Sequence, residues 1–413
     1  VPSTDPSPLL PFPDAPAPSS LSPAEDAAAA FTRYERPAPP RWRRYLLHLG
    51  LFLLTLLTTT LMGVVVRTGS ILELPPYEVL LQSWPVLWRT LQPGLWYSLP
   101  FLGVLTVHEF GHYFTSRYYR IRATLPFFIP FPFGLGTFGA VIRIKDRIFS
   151  RKEFFDVGLA GPLAGFVAAL AVLIYGLTHL PPLEYLYAIH PEYRLYGADY
   201  ARYVYSPDQT GSTLLAQPLL FKWLASIFAD SSRLPHANEL MHYPVLVAGV
   251  LSLFFTALNL LPIGQLDGGH ILYGLLGQRK AGRLSALFFI GFIFYAGLGL
   301  FSLQNSAQDW LYWSGPYFVY LLLAFWKALP TKRRVVMLAL AVWAAQIVVA
   351  TAWPALEGNP GWLVFGLLLG RVTGIYHPGA PDERPLSLGR KVLGWVMLLI
   401  FVLCFTPAPF SVQ

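Results

Sequence analysis

Cysteine is nearly missing from this chain. The single one, Cys404, excludes an internal disulfide, and in its apolar surroundings it reads as a small hydrophobe. Charge is scarce as well. Only 13% of the 413 residues are Asp, Glu, Lys or Arg, against about 25% in soluble domains. With 54% hydrophobic residues and a mean hydropathy of +0.49, this composition excludes an ordinary soluble globule and indicates a polytopic membrane protein. The net charge of +8 does not indicate a nucleic-acid partner, because the basic residues cluster just outside apolar segments, as membrane topology requires. The first forty residues lack any apolar run. They are rich in Pro, Ala and Ser and carry Asp5, Asp14, Glu25 and Asp26, so a disordered tail is expected over 1–40. A basic start followed by an apolar core is missing too, and no signal peptide is expected.

What is present is a series of apolar segments near the length that crosses a bilayer, about 20 residues. Nine are predicted: Tyr45–Val66, Trp96–Arg117, Phe155–Leu177, Tyr243–Leu261, Leu284–Phe301, Pro316–Leu329, Val335–Trp353, Trp362–Ile375 and Val392–Phe405. With the N-terminus cytoplasmic, 24 of the 30 Lys and Arg residues fall on the cytoplasmic side, which supports that orientation and an odd number of crossings. The connection Pro181–His242 then lies outside. It is too short for a typical peptide-binding module, against the usual domain size of roughly 100 residues. The cytoplasmic connection Ile121–Phe154 holds Gly134, Gly136 and Gly139 and the alternating run Ala140–Lys145, which predicts a strand or hairpin. Its apolar content suggests that it dips back toward the bilayer, where protein or a water-filled cavity must shield the sheet edge. The expected fold is all-α and polytopic, with about nine transmembrane helices and a small membrane-associated β-hairpin. Its parts are the tail 1–40, a first crossing and outer loop 41–95, a core 96–277 that includes the outer loop 181–242, and further helices 278–413.

The chemistry concentrates at His108-Glu109-x-x-His112, inside the second apolar segment. On a helix, residues i and i+4 share a face, so two imidazoles point at one zinc with Glu109 beside them. A catalytic zinc takes three protein ligands and keeps one open position. Glu109 then serves as general base and later as general acid. Ionisable residues at this depth are costly and rare unless functional. His108 lies about 18 Å beyond Trp96 and about 13 Å before Arg117 at 1.5 Å per residue, which puts the metal inside the membrane and nearer the cytoplasmic face. Asp267 is the candidate third ligand. It sits in Asn259-Leu260-Leu261-Pro262-Ile263-Gly264-Gln265-Leu266-Asp267-Gly268-Gly269, where Pro262 and the glycines are expected to break the helix. Taken alone, Asp-Gly-Gly is more often a plain turn, but beside the buried histidines the balance reverses.

These motifs, together with Ala160-Gly161-Pro162-Leu163-Ala164-Gly165 between them, resemble the site-2 protease family of intramembrane zinc metalloproteases. The similarity runs from about Leu99 to Gly277 and is greatest to the plant-chloroplast and bacterial branch that lacks a PDZ domain. The resemblance implies one zinc ion per chain, with Asp267 as third ligand and Asn259 on the substrate-facing side of its helix. Asn259 either hydrogen-bonds the unwound substrate or the oxyanion, or makes an interhelical hydrogen bond. The hairpin edge would receive the unwound substrate segment. The expected partners are a transmembrane protein substrate, the lipid bilayer and an upstream site-1 protease. The expected setting is a bacterial cytoplasmic membrane, with release of a regulator as the outcome.

Two rivals come from other classes. One is a non-catalytic chaperone or scaffold that binds transmembrane helices, and the other is a metal transporter. Gly158, Gly161 and Gly165 read as packing beneath the site. His270 reads as a lesser candidate, touching a ligand without being one. His48, His179, His190, His236, His242 and His377 read as interfacial or loop residues in solvated or capping roles. The basic runs Arg41–Arg44 and Lys332–Arg334 read as topology signals beside anionic headgroups.

Overall fold

The computed structural model describes residues 41–68, 78, 81–205 and 213–412, so the tail expected over 1–40 lies outside the described residues. Contacts divide the chain at residue 47, between units 1–47 and 48–413. The described part of the first unit is the opening of one helix, where the Arg43 guanidinium lies 5.4 Å from the Trp42 ring centroid.

In chain order the elements are α1 (Arg41–Arg67), α2 (Trp84–Leu91), α3 (Leu95–Tyr118), β1 (Phe127–Pro130), β2 (Thr137–Val141), α4 (Arg151–Thr178), α5 (Glu184–Ile189), α6 (Tyr200–Val204), β3 (Thr213–Leu215), α7 (Leu219–Phe228), α8 (Pro244–Leu260), α9 (Asp267–Ala296), α10 (Ala307–Phe325), α11 (Lys332–Ala352), α12 (Trp362–Leu368), α13 (Leu388–Cys404) and β4 (Phe410–Val412). A helix overlaps each of the nine predicted apolar segments. Among the described residues, three helices are long and apolar enough to cross a membrane: Trp42–Arg67, Arg151–Thr178 and Lys332–Ala352. The others depart from a plain span for identifiable reasons. The α3 sequence is diluted by the His-Glu-His motif, α8 has only 17 residues, and α12 runs into a π-helical stretch, Leu369–Thr373.

Two expectations need correction. The helix that holds the predicted segment Leu284–Phe301 begins after a break at Gly277, where φ is +75°, and a further helical stretch that was not predicted precedes it from Asp267. Asp267-Gly268-Gly269 is therefore the first turn of a helix and not part of a loop. The two glycines permit this because the start of α9 lies against the backbone carbonyls that end α8. A Cβ at Gly268 would meet the Leu260 carbonyl, and one at Gly269 the Gly264 carbonyl.

Buried side chains form two main apolar clusters. One joins α3, α4, α8 and the last helix, α13, through residues such as Phe101, Leu173, Leu253 and Met397. Cys404 belongs to it and is fully buried. The other joins α9–α12 around Phe289, Leu321, Phe325 and Ala339. The start of α4 is fixed by a capping box, in which the Ser150 hydroxyl accepts from the Glu153 amide and the Glu153 carboxylate accepts from the Ser150 amide.

The predicted hairpin is present. β1 and β2 are antiparallel, pairing Phe127 with Val141 and Phe128 with Ala140, with an irregularity before Pro130–Thr137. Its tip is seated against α1 and α3. The Thr58 hydroxyl donates to the Gly136 carbonyl at 2.7 Å, and the Tyr97 hydroxyl donates to the Leu135 carbonyl at 2.9 Å. Thr58 lies mid-way along a 27-residue helix, so the tip reaches the level of that helix's middle. At the far end of the excursion, Arg122 hydrogen-bonds Asp146 through its side chain and its amide and holds that carboxyl below the usual carboxylate range. Gly136 has φ +81°, and a Cβ there would press on the Thr59 backbone. Gly136→Ala is therefore expected to destabilise the protein by about 1–3 kcal/mol, measured by thermal melting in detergent. A second two-stranded sheet pairs β3 with β4 and ties the connection between α4 and α8 to the segment after α13.

Candidate metal centre

His108 and His112 share one face of α3, as the i, i+4 spacing requires, and both are buried, as is Glu109 beside them. Three ligand-type atoms converge. His108 Nε2 and His112 Nε2 are 3.1 Å apart, and Asp267 Oδ2 lies 3.4 Å from the first and 3.3 Å from the second. Tetrahedral zinc, with bonds of about 2.0–2.1 Å, needs ligand atoms roughly 3.3 Å apart. Two neutral imidazoles and one carboxylate also suit that ion chemically. The His112 Nδ1 donates to the Val157 carbonyl at 2.8 Å, which leaves the Nε2 lone pair facing the other two donors. The residues present therefore fit the metal.

Glu109 stands outside the three-donor set. It lines a cavity of about 260 Å³ that the donors share with Ala140, Val141 and Ile142 of the hairpin strand and its extension. Asn259, near the end of α8, lines it too, with Nδ2 3.5 Å from His108 Nε2. All the predicted site residues thus meet at one cavity.

The glycine run on α4 fits closely beneath the histidines. A Cβ at Gly161 would overlap the His112 ring, one at Gly165 would lie 3.0 Å from His108 Cβ, and one at Gly158 would overlap His270.

His270, the lesser candidate, lines the cavity and pairs with His377 at 2.7 Å. Other neighbours lie outside the motifs and were missed. His377 was read as an interfacial or loop residue but is buried. The segment around it crosses the start of α4. Arg390 grips Asp156 at 2.8 and 2.9 Å, the Asp382 carbonyl accepts from the Arg151 amide, and the Arg151 side chain donates to the Gly274 carbonyl. No local pattern marks these long-range pairings; the one hint was a set of charged residues between two apolar helices. His242 was likewise read as an interfacial or loop residue, yet it is 5% exposed. His48 hydrogen-bonds the Pro126 carbonyl, His179 is exposed, and His236 accepts from the Asn238 amide.

Residues 96–302, half of the chain, match peptidase family M50. The probable zinc metalloprotease EGY1, chloroplastic, of Oryza sativa subsp. japonica is 33% identical over 275 residues, 64% of this chain and 42% of that protein. Its Arabidopsis thaliana counterpart is 29% identical over 278 residues, 64% of this chain and 44% of that protein. The probable zinc metalloprotease EGY2, chloroplastic, of Oryza sativa subsp. indica is 28% identical over 197 residues, 48% of this chain and 32% of that protein. The chain spans less than half the length of these curated relatives. No solved structure matches it.

Proposed function

Because the chain belongs to peptidase family M50, we propose that it is a zinc endopeptidase that hydrolyses peptide bonds within the transmembrane segments of other proteins. The observation that carries this reading is the convergence of His108, His112 and Asp267 beside Glu109, buried between apolar helices.

In this proposal His108, His112 and Asp267 hold one zinc at this centre. When bound, zinc supplies a Lewis acid that makes water a nucleophile near neutral pH. Glu109 takes the proton from the attacking water and returns it to the leaving amine. Val157 fixes the His112 tautomer through its carbonyl. Asn259 donates its amide to the oxyanion. The hairpin extension beside the cavity receives the unwound substrate strand by β-augmentation, and the surrounding apolar helices exclude bulk water.

The membrane setting belongs to the same proposal. Nine crossings with a cytoplasmic N-terminus follow from the Lys and Arg asymmetry. Interrupted helices at membrane depth are tolerated where they line a cavity, as α8 and α9 do here. The proposed location is a bacterial cytoplasmic membrane, although the plant relatives carry "chloroplastic" in their names. The proposed partners are a transmembrane substrate and an upstream protease that trims it first.

The test uses the protein in liposomes with a single-pass substrate tagged at both ends. Cleavage is expected to create new termini inside the apolar stretch, to stop with 1,10-phenanthroline and to return with added zinc. Termini mapping only outside that stretch overturn the intramembrane reading, and cleavage by zinc-stripped protein overturns the metal's role. Asn259→Ala is expected to lower kcat about 10²–10³-fold with zinc content unchanged. A fall in melting temperature with kcat retained would assign that amide to helix packing instead.

A further inference from the structure

The outer loop between α4 and α8 assembles three donor groups that the hydrolytic centre does not use. His190 follows the last turn of α5. Glu239 and His242 lie one turn apart on the 3₁₀ segment Ala237–His242, which leads into α8. Glu239 is 1% exposed and His242 5%. One Glu239 oxygen, Oε1, accepts from the Tyr193 hydroxyl at 2.9 Å and from the Tyr205 hydroxyl. The other, Oε2, is buried and has no hydrogen-bond partner. A carboxylate oxygen in that state is costly unless a positive group faces it.

Two imidazole nitrogens do face it. His242 Nε2 lies 3.3 Å from Glu239 Oε2 and His190 Nε2 lies 3.6 Å from it. The two nitrogens are 3.0 Å from each other. Each ring has an oxygen at its other nitrogen: the Arg67 carbonyl lies 2.8 Å from His242 Nδ1, and a Glu192 carboxylate oxygen lies 3.4 Å from His190 Nδ1. With the proton of each neutral imidazole on Nδ1, toward those oxygens, both Nε2 atoms present lone pairs to Glu239 Oε2. Two lone pairs and a bare carboxylate oxygen meeting at one point repel unless a cation joins them. Their separations bracket the roughly 3.3 Å edge of a tetrahedral zinc site and nearly repeat the 3.1, 3.3 and 3.4 Å of the hydrolytic centre.

We propose that His190, Glu239 and His242 bind a second divalent cation of the zinc class. Two imidazoles with one carboxylate suit zinc better than magnesium or calcium, which prefer all-oxygen sites. The site is a clasp. His242 reaches the last residue of α1 through the Arg67 carbonyl, its own carbonyl accepts from Tyr185 at 2.6 Å, and α8 starts two residues later. Asn259 lies 17 positions after His242, a stretch almost wholly within α8 and about 25 Å long at 1.5 Å per residue, so α8 has a metal centre near each end. The proposal is independent of proteolysis, and it revises the expected one ion per chain to two.

The test is a metal count on the full-length protein, loaded with zinc, dialysed against metal-free buffer and measured by mass spectrometry. Wild type is expected to hold two zinc ions per chain. Glu239→Gln, His190→Ala and His108→Ala are each expected to hold one, and the His108→Ala/His190→Ala double variant none. His190 is 29% exposed, so His190→Ala reports even where Glu239→Gln fails to fold. A zinc count in His190→Ala equal to that of wild type overturns the proposal and assigns the cluster to a buried ion pair. A failure of the proteolytic reading looks different: cleavage is lost while the count stays at two.

Discussion

Glu109→Gln is expected to reduce cleavage about 10²–10⁴-fold, the usual contribution of a positioned general base, while zinc content stays at the wild-type level. Glutamine keeps the size and hydrogen-bonding reach of the side chain but cannot take a proton at neutral pH. The separation of effects follows from the geometry. Glu109 lines the cavity but is not one of the three converging donors, so its replacement spares the metal. Turnover at the wild-type rate with zinc in place would remove Glu109 from the mechanism. Zinc lost together with activity would make it a ligand instead.

Gly161→Ala is the other large effect, and it arises from a residue with no reactive group. α3 and α4 approach closely here: Gly111 on the first faces the Ala160 carbonyl on the second, and an added Cβ at Gly161 falls on the His112 ring. That ring is held by the Val157 carbonyl, one turn earlier on the same helix as Gly161, so it must rotate and break its hydrogen bond, or the helices must part. Disturbing such a supporting contact costs about 10–100-fold in metal affinity. Competition with a chelating dye measures this, and circular dichroism verifies that helices persist. Gly165→Ala gives the internal control. Its Cβ would sit 3.0 Å from His108 Cβ, which a small shift relieves, so a much weaker effect is expected. Equal zinc affinities for the two variants would contradict this account of the glycine run.

The sequence was most readable where function and local periodicity coincide. Two histidines four apart share a helix face whatever surrounds them. The glycine-rich turn marked the hairpin, but the strand lies at Thr137–Val141 and takes in only the first two residues of the alternating run Ala140–Lys145. Asp267 was identifiable as an isolated acid in an apolar neighbourhood, but its local conformation was not. Asp-Gly-Gly has turn chemistry, and tertiary packing against the end of α8 overrode it. The pairings His270–His377 and Asp156–Arg390 were illegible because their partners lie 107 and 234 residues apart. The Glu239 cluster was missed for the same reason. Its first histidine comes from a different part of the connection between α4 and α8, 52 residues before His242, and no helical or strand period links the two.

The seating of the ribbon's tip has a mechanical consequence. Thr58 and Tyr97 bind two successive carbonyls of one turn, and the Thr60 hydroxyl meets that of Ser98 at 2.8 Å. α1, α3 and the ribbon are thus bolted together at a single level. A sideways swing of α1 that admitted a guest helix would drag the ribbon along or shear both bolts. A sideways displacement of α1 and a shift of the ribbon are therefore one movement.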